Sequence, residues 1–163
     1  MPKITFKAGD EYALKLSKLS QYADGIAKRA IFKGGEVVGD AIRQSIESMP
    51  EEPFRRLKEG ESFGGTPKSH KLALLRGFGM TPMERDKNGD WNTKAGFAGY
   101  TEYPSKTYPN GLPVPMLARA IEGGSSVRRK YPFVRNAVNA SKAAAVRAME
   151  QSIDENIKNI MKK

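Results

Sequence analysis

The sequence predicts an α+β fold: a long N-terminal helix and a long C-terminal helix packed on a small antiparallel sheet, with an irregular proline-rich loop. Three observations predict it. Apolar residues recur at three- and four-residue spacing over residues 22–49 and again from 132 onward, the period of a helix face. Asn88-Gly89 lies between two short segments of extended character, and Asn-Gly favours the positive φ of a tight hairpin turn. Pro104, Pro109, Pro113 and Pro115 crowd one stretch, too many for a central strand. A chain of 163 residues fits one domain, 1–163, with a helical part at 10–49 and 132–161 and a loop and sheet part at 50–131.

Each element has its own reason. Ile4, Phe6 and Ala8 alternate with Thr5 and Lys7, the period of a short strand. Gly9-Asp10 ends it, and Asp10 is placed to cap a helix beginning near Glu11. Leu14, Leu16 and Leu19 give that helix a rough apolar side, with Asp24-Gly25 as a break point. From about Tyr22 to Met49, Ala27, Ile31, Val38, Ile42, Ile46 and Met49 share one face. Gly34-Gly35 fall on the same stripe, where they either interrupt the helix or let another backbone approach closely. Pro50 stops the pattern. Residues 50–70 read as a charged loop punctuated by proline and glycine. Lys71 to Arg76 is a short apolar segment, a strand or a single helical turn, ended by Gly77 and Gly79.

Met80–Met83 pairs in this reading with Asp90–Tyr103 across the Asn88-Gly89 turn, with Trp91, Ala95, Phe97 and Tyr103 for packing. Residues 104–115 form the stiffened loop, and Met116–Ile121 a short apolar helix or strand ending at Gly123-Gly124. Pro132 suits the first turn of the last helix. Val134, Ala137, Val138, Ala145, Met149, Ile153, Ile157 and Ile160 form its stripe, and Asp154 supports Lys158 on its exposed side. From Pro132 to Ile160 the helix would run about 43 Å. Part of that stripe packs on helix 22–49 and part is left for a partner subunit.

Composition narrows the function. The chain has 28 Lys+Arg against 18 Asp+Glu, a net charge of +10, and +6 of that excess lies in residues 124–163. Its densest point is Arg128-Arg129-Lys130. No zinc-finger spacing and no aromatic-studded strand accompanies it, so any contact with DNA runs through the phosphate backbone without sequence readout. The absence of cysteine excludes disulfides, thiolate metal sites and cysteine nucleophiles. One histidine, His70, excludes any site built from two imidazoles. No apolar run approaches the roughly 20 residues of a membrane span, and the opening residues lack the shape of a signal peptide. No cofactor is expected.

Motif-like segments fail on spacing. Asp86, Asn88 and Asp90 resemble part of a calcium loop, but the glycine comes before the third oxygen ligand instead of after it and the twelfth position is Phe97. Gly64-Gly65-Thr66-Pro67-Lys68-Ser69 lacks the contiguous Gly-Lys-Ser/Thr of a phosphate loop, and Pro67 removes a backbone donor. Ser69-His70 has no Gly-x-Ser-x-Gly elbow around it. Glu51, Glu52, Glu59 and Glu61 sit in a loop, poor ground for a tuned acid–base pair. The sequence reads as no enzyme.

One block is more specific. Leu117-Ala118-Arg119-Ala120-Ile121-Glu122-Gly123-Gly124-Ser125, a basic spacer, and Tyr131-Pro132-Phe133-Val134-Arg135-Asn136-Ala137-Val138 follow in order. Together with Gly89-Asp90-Trp91-Asn92 and Gly96-Phe97-Ala98-Gly99-Tyr100, this resembles a tailed-bacteriophage family of tail-component proteins, in a Gram-positive-phage-like branch. Asn136 departs from it, since that branch often has proline there. The resemblance implies a structural virion protein of the tail neck, made in the bacterial host cytoplasm, that acts in head–tail joining or tail completion. It implies a homo-oligomeric ring, usually a hexamer, between tail tube or tail terminator proteins and head connector proteins, with DNA passing through the lumen. Packing, assembly or interface roles are expected of Glu122, Gly123, Gly124, Pro132, Phe133 and Arg135, with Phe133 equally readable as a core aromatic. Arg128, Arg129 and Lys130 are then the charges expected to face the lumen or a partner. The competing reading is a basic accessory protein that binds DNA or RNA non-specifically, with no membrane partner in either case.

Overall fold

Good helix formers outnumber breakers from Lys7 to Glu47, and the chain answers with one unbroken helix. The structure, a computed structural model, describes residues 7–162, with side chains from residue 13 onward. Its elements are α1 (Lys7–Glu47), α2 (Lys68–Gly77), β1 (Phe78–Met80), β2 (Glu84–Arg85), β3 (Trp91–Asn92), β4 (Ala95–Phe97), α3 (Val114–Gly123) and α4 (Phe133–Lys162). The α+β class therefore holds.

At 41 residues, α1 is about 60 Å long. Neither Asp24-Gly25 nor Gly34-Gly35 breaks it. The glycines serve close approach instead: a Cβ on Gly34 would sit 2.7 Å from Met149 Cγ, and one on Gly39 3.2 Å from Met80 Sδ. The start of the chain differs from expectation. Ala8 belongs to α1, and Asp10 lies inside it rather than capping it, because a two-residue alternation cannot outweigh a helix already propagating. Ile4 and Phe6 lie outside the described residues.

α4 returns antiparallel along α1. Ser45 Oγ donates to Phe133 O at 3.1 Å at one end, and Gly34 meets Met149 midway. The long helices thus pack chiefly on each other rather than on the sheet. Along this stalk the buried side chains are few and mostly small: Ile26 and Ala30 on α1, Ala145 and Ser152 on α4.

The core gathers at the other end, which forms a head. Ile42 and Ile46 of α1 and Met49 just beyond it meet Ala73 and Leu74 of α2, Phe78 of β1, Val114, Leu117, Ala118 and Ile121 of α3, and Phe133 and Ala137 of α4. The segment expected at Lys71–Arg76 is a ten-residue helix that starts at Lys68 and packs against α1 and α3. Pro113 and Pro115 begin α3 rather than belonging to the loop, since a proline loses no hydrogen bond in a first turn.

The hairpin starts earlier and ends sooner than the sequence suggests. Phe78 pairs with Phe97 and Met80 with Ala95, whereas Glu84 pairs with Asn92 and Arg85 with Trp91. The two registers differ by one residue, so a bulge at 81–83 separates them, and Pro82 there has no N–H to donate. The Asn88-Gly89 turn is present, with Gly89 at φ 85°. Asp86 Oδ1 accepts from the N–H groups of Asn88 and Asp90, at 2.8 and 3.0 Å, so its carboxylate holds the turn. Tyr103 lies beyond β4 and is exposed.

The hairpin lies along α1 and is pinned at its tip. Asp24 Oδ1 accepts from Trp91 Nε1 at 2.8 Å and from Arg85 Nη2 at 2.5 Å. Lys28 Nζ and Arg85 Cζ stand 4.8 and 4.6 Å from the Trp91 ring centroid, which adds cation–π attraction.

Candidate assembly surface

The block from Leu117 to Val138 folds as one unit: α3, a tight turn, and the first turn of α4. Helix N-termini leave backbone N–H groups without partners and carry a partial positive charge. Glu122 meets both needs for α4. Its Oε2 accepts from Val134 N at 2.9 Å and its Oε1 from Arg135 N at 3.0 Å. Tyr131 N donates to Ile121 O at 2.8 Å and closes the turn. Gly124 has φ 77°, and a Cβ there would crowd the backbone of Lys130, so this position requires glycine. Gly123 ends α3 and has open space around it.

Pro132 precedes the first helical residue, and Asn136 N donates to its carbonyl at 3.0 Å. Phe133 is a core aromatic at 1% exposure, edge-on to Phe97 with ring centroids 6.0 Å apart. Only the backbone of Arg135 joins the cap; its side chain is exposed.

The basic triplet is divided. Arg128 turns inward, its Nη1 donating to Gly65 O at 2.8 Å and Thr66 Oγ1 at 3.1 Å. Burial lowers its pKa from the usual guanidinium value. The backbone around it bridges to the 50–66 loop, with Phe63 N donating to Val127 O and Arg129 N to Phe63 O, both at 2.9 Å. Arg129 and Lys130 point to solvent.

The glutamates of that loop order it. Glu52 Oε2 accepts from Gly64 N at 2.7 Å and Gly65 N at 2.9 Å, and those two bonds hold its pKa below the usual carboxylate value. Glu61 accepts from Lys58 N and Arg55 Nη1, which lower its pKa in the same way. Lys71, buried among apolar neighbours, donates from Nζ to Glu47 O at 2.8 Å, Met49 O at 3.0 Å and Glu51 Oε1 at 3.0 Å. It caps the C-terminus of α1 as Glu122 caps the N-terminus of α4, each with the charge that suits that end.

Sequence reasoning missed an aromatic surface on the head. Phe54, Leu72, Tyr100 and Tyr103 are all more than 40% exposed, Tyr103 at 64%. They line two adjoining grooves that share Ser69, Thr101 and Tyr103, the second also holding His70 and Tyr108. The available signal was three tyrosines, Tyr100, Tyr103 and Tyr108, in a glycine- and proline-rich stretch that no core periodicity absorbs. His70 packs edge-on to Phe54 at 5.0 Å, and its Nδ1 is buried without a hydrogen-bond partner. Burial and the nearby Arg128 lower its pKa.

Among the described residues there is no group of three or more His, Cys, Asp or Glu able to hold a metal ion, and no helix long and apolar enough to cross a membrane. No protein-family model, curated protein or solved structure matches the chain.

Proposed function

We propose that this chain is a structural protein of a phage tail neck, where copies form a ring, usually sixfold, that joins or completes the tail at the head–tail interface. In this reading it works in the virion, between tail tube or terminator proteins and head connector proteins, and catalyses no reaction. The observation that carries the reading is the block from Leu117 to Val138: the residues that resemble the tail-component family form one folded unit, tied together by Glu122. Glu122, Gly124 and Phe133 then act by shaping each subunit, which leaves Arg129, Lys130 and Arg135 to face a partner or the lumen.

A ring needs a side-to-side contact between different patches of neighbouring copies. We place one half of that contact on the aromatic surface around Phe54, Tyr100 and Tyr103, since exposed aromatic residues concentrate interface energy. Light-scattering mass measurement with negative-stain imaging tests this. The expected result is a closed ring, reduced to monomers by the Phe54→Ser/Tyr103→Ser double substitution. A chain that stays monomeric and whose only association is with nucleic acid at physiological salt would overturn the ring and leave the accessory nucleic-acid binder.

A further inference from the structure

Away from the head, α1 and α4 enclose a cleft of about 480 Å³, lined by Lys18, Tyr22 and Arg29 from one helix and Asn156, Asn159 and Ile160 from the other. We propose that this cleft binds a phosphate-bearing anion, in the form of a nucleic-acid strand held through its backbone. Among the described residues its lining is an ammonium, a guanidinium, a phenol, two carboxamides and one aliphatic side chain, with no carboxylate. Of these, Asn156 commits one Nδ2 hydrogen to Ser152 O at 2.6 Å.

Neither cation enters the ion pairs described along α1. Asp24 holds Arg85 and Trp91, Glu36 pairs with Lys33, and Asp40 pairs with Arg43. Among the described residues neither Lys18 nor Arg29 enters an ion pair of its own. Among the described residues the cleft's lining carries two positive charges and no carboxylate, which is complementary to an anion.

The guanidinium of Arg29 folds back one turn over Gly25: a Cβ there would lie 3.7 Å from Nη1 and 3.9 Å from Nη2, an ordinary contact. Lys18 and Arg29 start about 16 Å apart along the helix axis, with Tyr22 between them in sequence and Arg29 leaning toward it. One compact phosphate needs a single cation, whereas two in line suit successive phosphates of a strand. Tyr22 is 54% exposed and offers a ring on which any base can stack. Such binding would be independent of sequence. It stands whether or not copies of the chain form a ring.

Anisotropy of a labelled 20-nucleotide single strand, titrated with the whole chain at 50 and 200 mM NaCl, tests the cleft. Lys18→Ala/Arg29→Ala is compared with Lys142→Ala/Arg147→Ala, which removes the same charge from exposed positions of α4 outside it. The first pair is expected to weaken binding about tenfold at the lower salt. It should also lower the log–log salt slope by about 1.4, at about 0.7 per phosphate on a single strand. The second pair should change binding less than about twofold, and circular dichroism should show both variants folded. Inorganic phosphate alone, followed by side-chain NMR of Arg29 Nε and Asn159, separates the sources. Perturbation by phosphate as strong as by the strand keeps the anion chemistry and assigns free phosphate. Equal weakening by both double variants, or no response of Arg29 Nε to either probe, overturns the site.

Discussion

The head and the stalk are stabilised by different means, although the same two helices run through both. In the head, α1 and α4 contribute Ile42, Ile46 and Phe133, and the residue Met49 after α1 joins them, in a core closed by α2, α3 and β1. In the stalk they meet over Gly34, Ala30 and Ala145, where small residues permit close approach but bury little apolar area each. The head also satisfies its helix ends with distant charged side chains, Lys71 for α1 and Glu122 for α4. Polar side chains of α4 along the stalk are satisfied locally, as when Ser141 Oγ donates to Ala137 O at 2.7 Å and Asn156 Nδ2 to Ser152 O at 2.6 Å. The head should therefore set global stability, and the stalk should tolerate change.

Phe133→Ala breaks the head hardest. It removes a ring that contacts Phe97 within the core, and should cost about 3–5 kcal/mol in urea unfolding. A loss below about 1 kcal/mol would mean that the core is not centred there. Glu122→Ala comes next, expected to cost about 1–2 kcal/mol as Val134 N and Arg135 N lose their acceptor; Glu122→Gln should recover part of it by keeping one oxygen.

In the stalk the sign should reverse. Gly25→Ala meets only ordinary contacts and gains helix propensity, so it should raise stability by about 0.5–1 kcal/mol by the same unfolding measurement.

The smallest effect separates the regions by pH. His70 has its folded pKa below 6.5, and Glu52 and Glu61 have theirs below 4.5. A depressed folded value gives stability that is full above the unfolded pKa and is lost as pH falls through the folded one. The head should loosen first below pH 6.5 and again below 4.5. Amide protection at Gly64 and Gly65, corrected for intrinsic exchange rates, should fall between pH 7 and 3 while stalk amides near Ala30 hold. Uniform loss in both regions would remove the distinction.

What could be read from the sequence follows the range of the interaction. The two long helices were legible because a 3.6-residue period repeats many times, and the hairpin turn because Asn88-Gly89 is a local signal. Ile42, Ile46 and Met49 were found as one face, while Ile26 and Ala30 took the burial that Ala27 and Ile31 were expected to share. Lys71 read as the edge of an apolar segment and Glu122 as part of a reversal. Their partners lie 20 or more and 12 or more residues away, and no periodicity encodes such a pairing. Arg128 read as an outward charge because density in sequence says nothing about which member of a triplet turns in. The aromatic surface stayed hidden because exposure in a loop is decided by tertiary packing.

The one-residue offset within the hairpin has a consequence for solubility. A continuous ribbon from Phe78 to Phe97 would present a straight edge of unpaired backbone groups, a template for strands of other molecules. The bulge at 81–83 and Pro82 divide that edge into two short pieces of different register. Neither is long enough to seed sheet growth. Association of the hairpin edge to edge with other strands is thereby disfavoured.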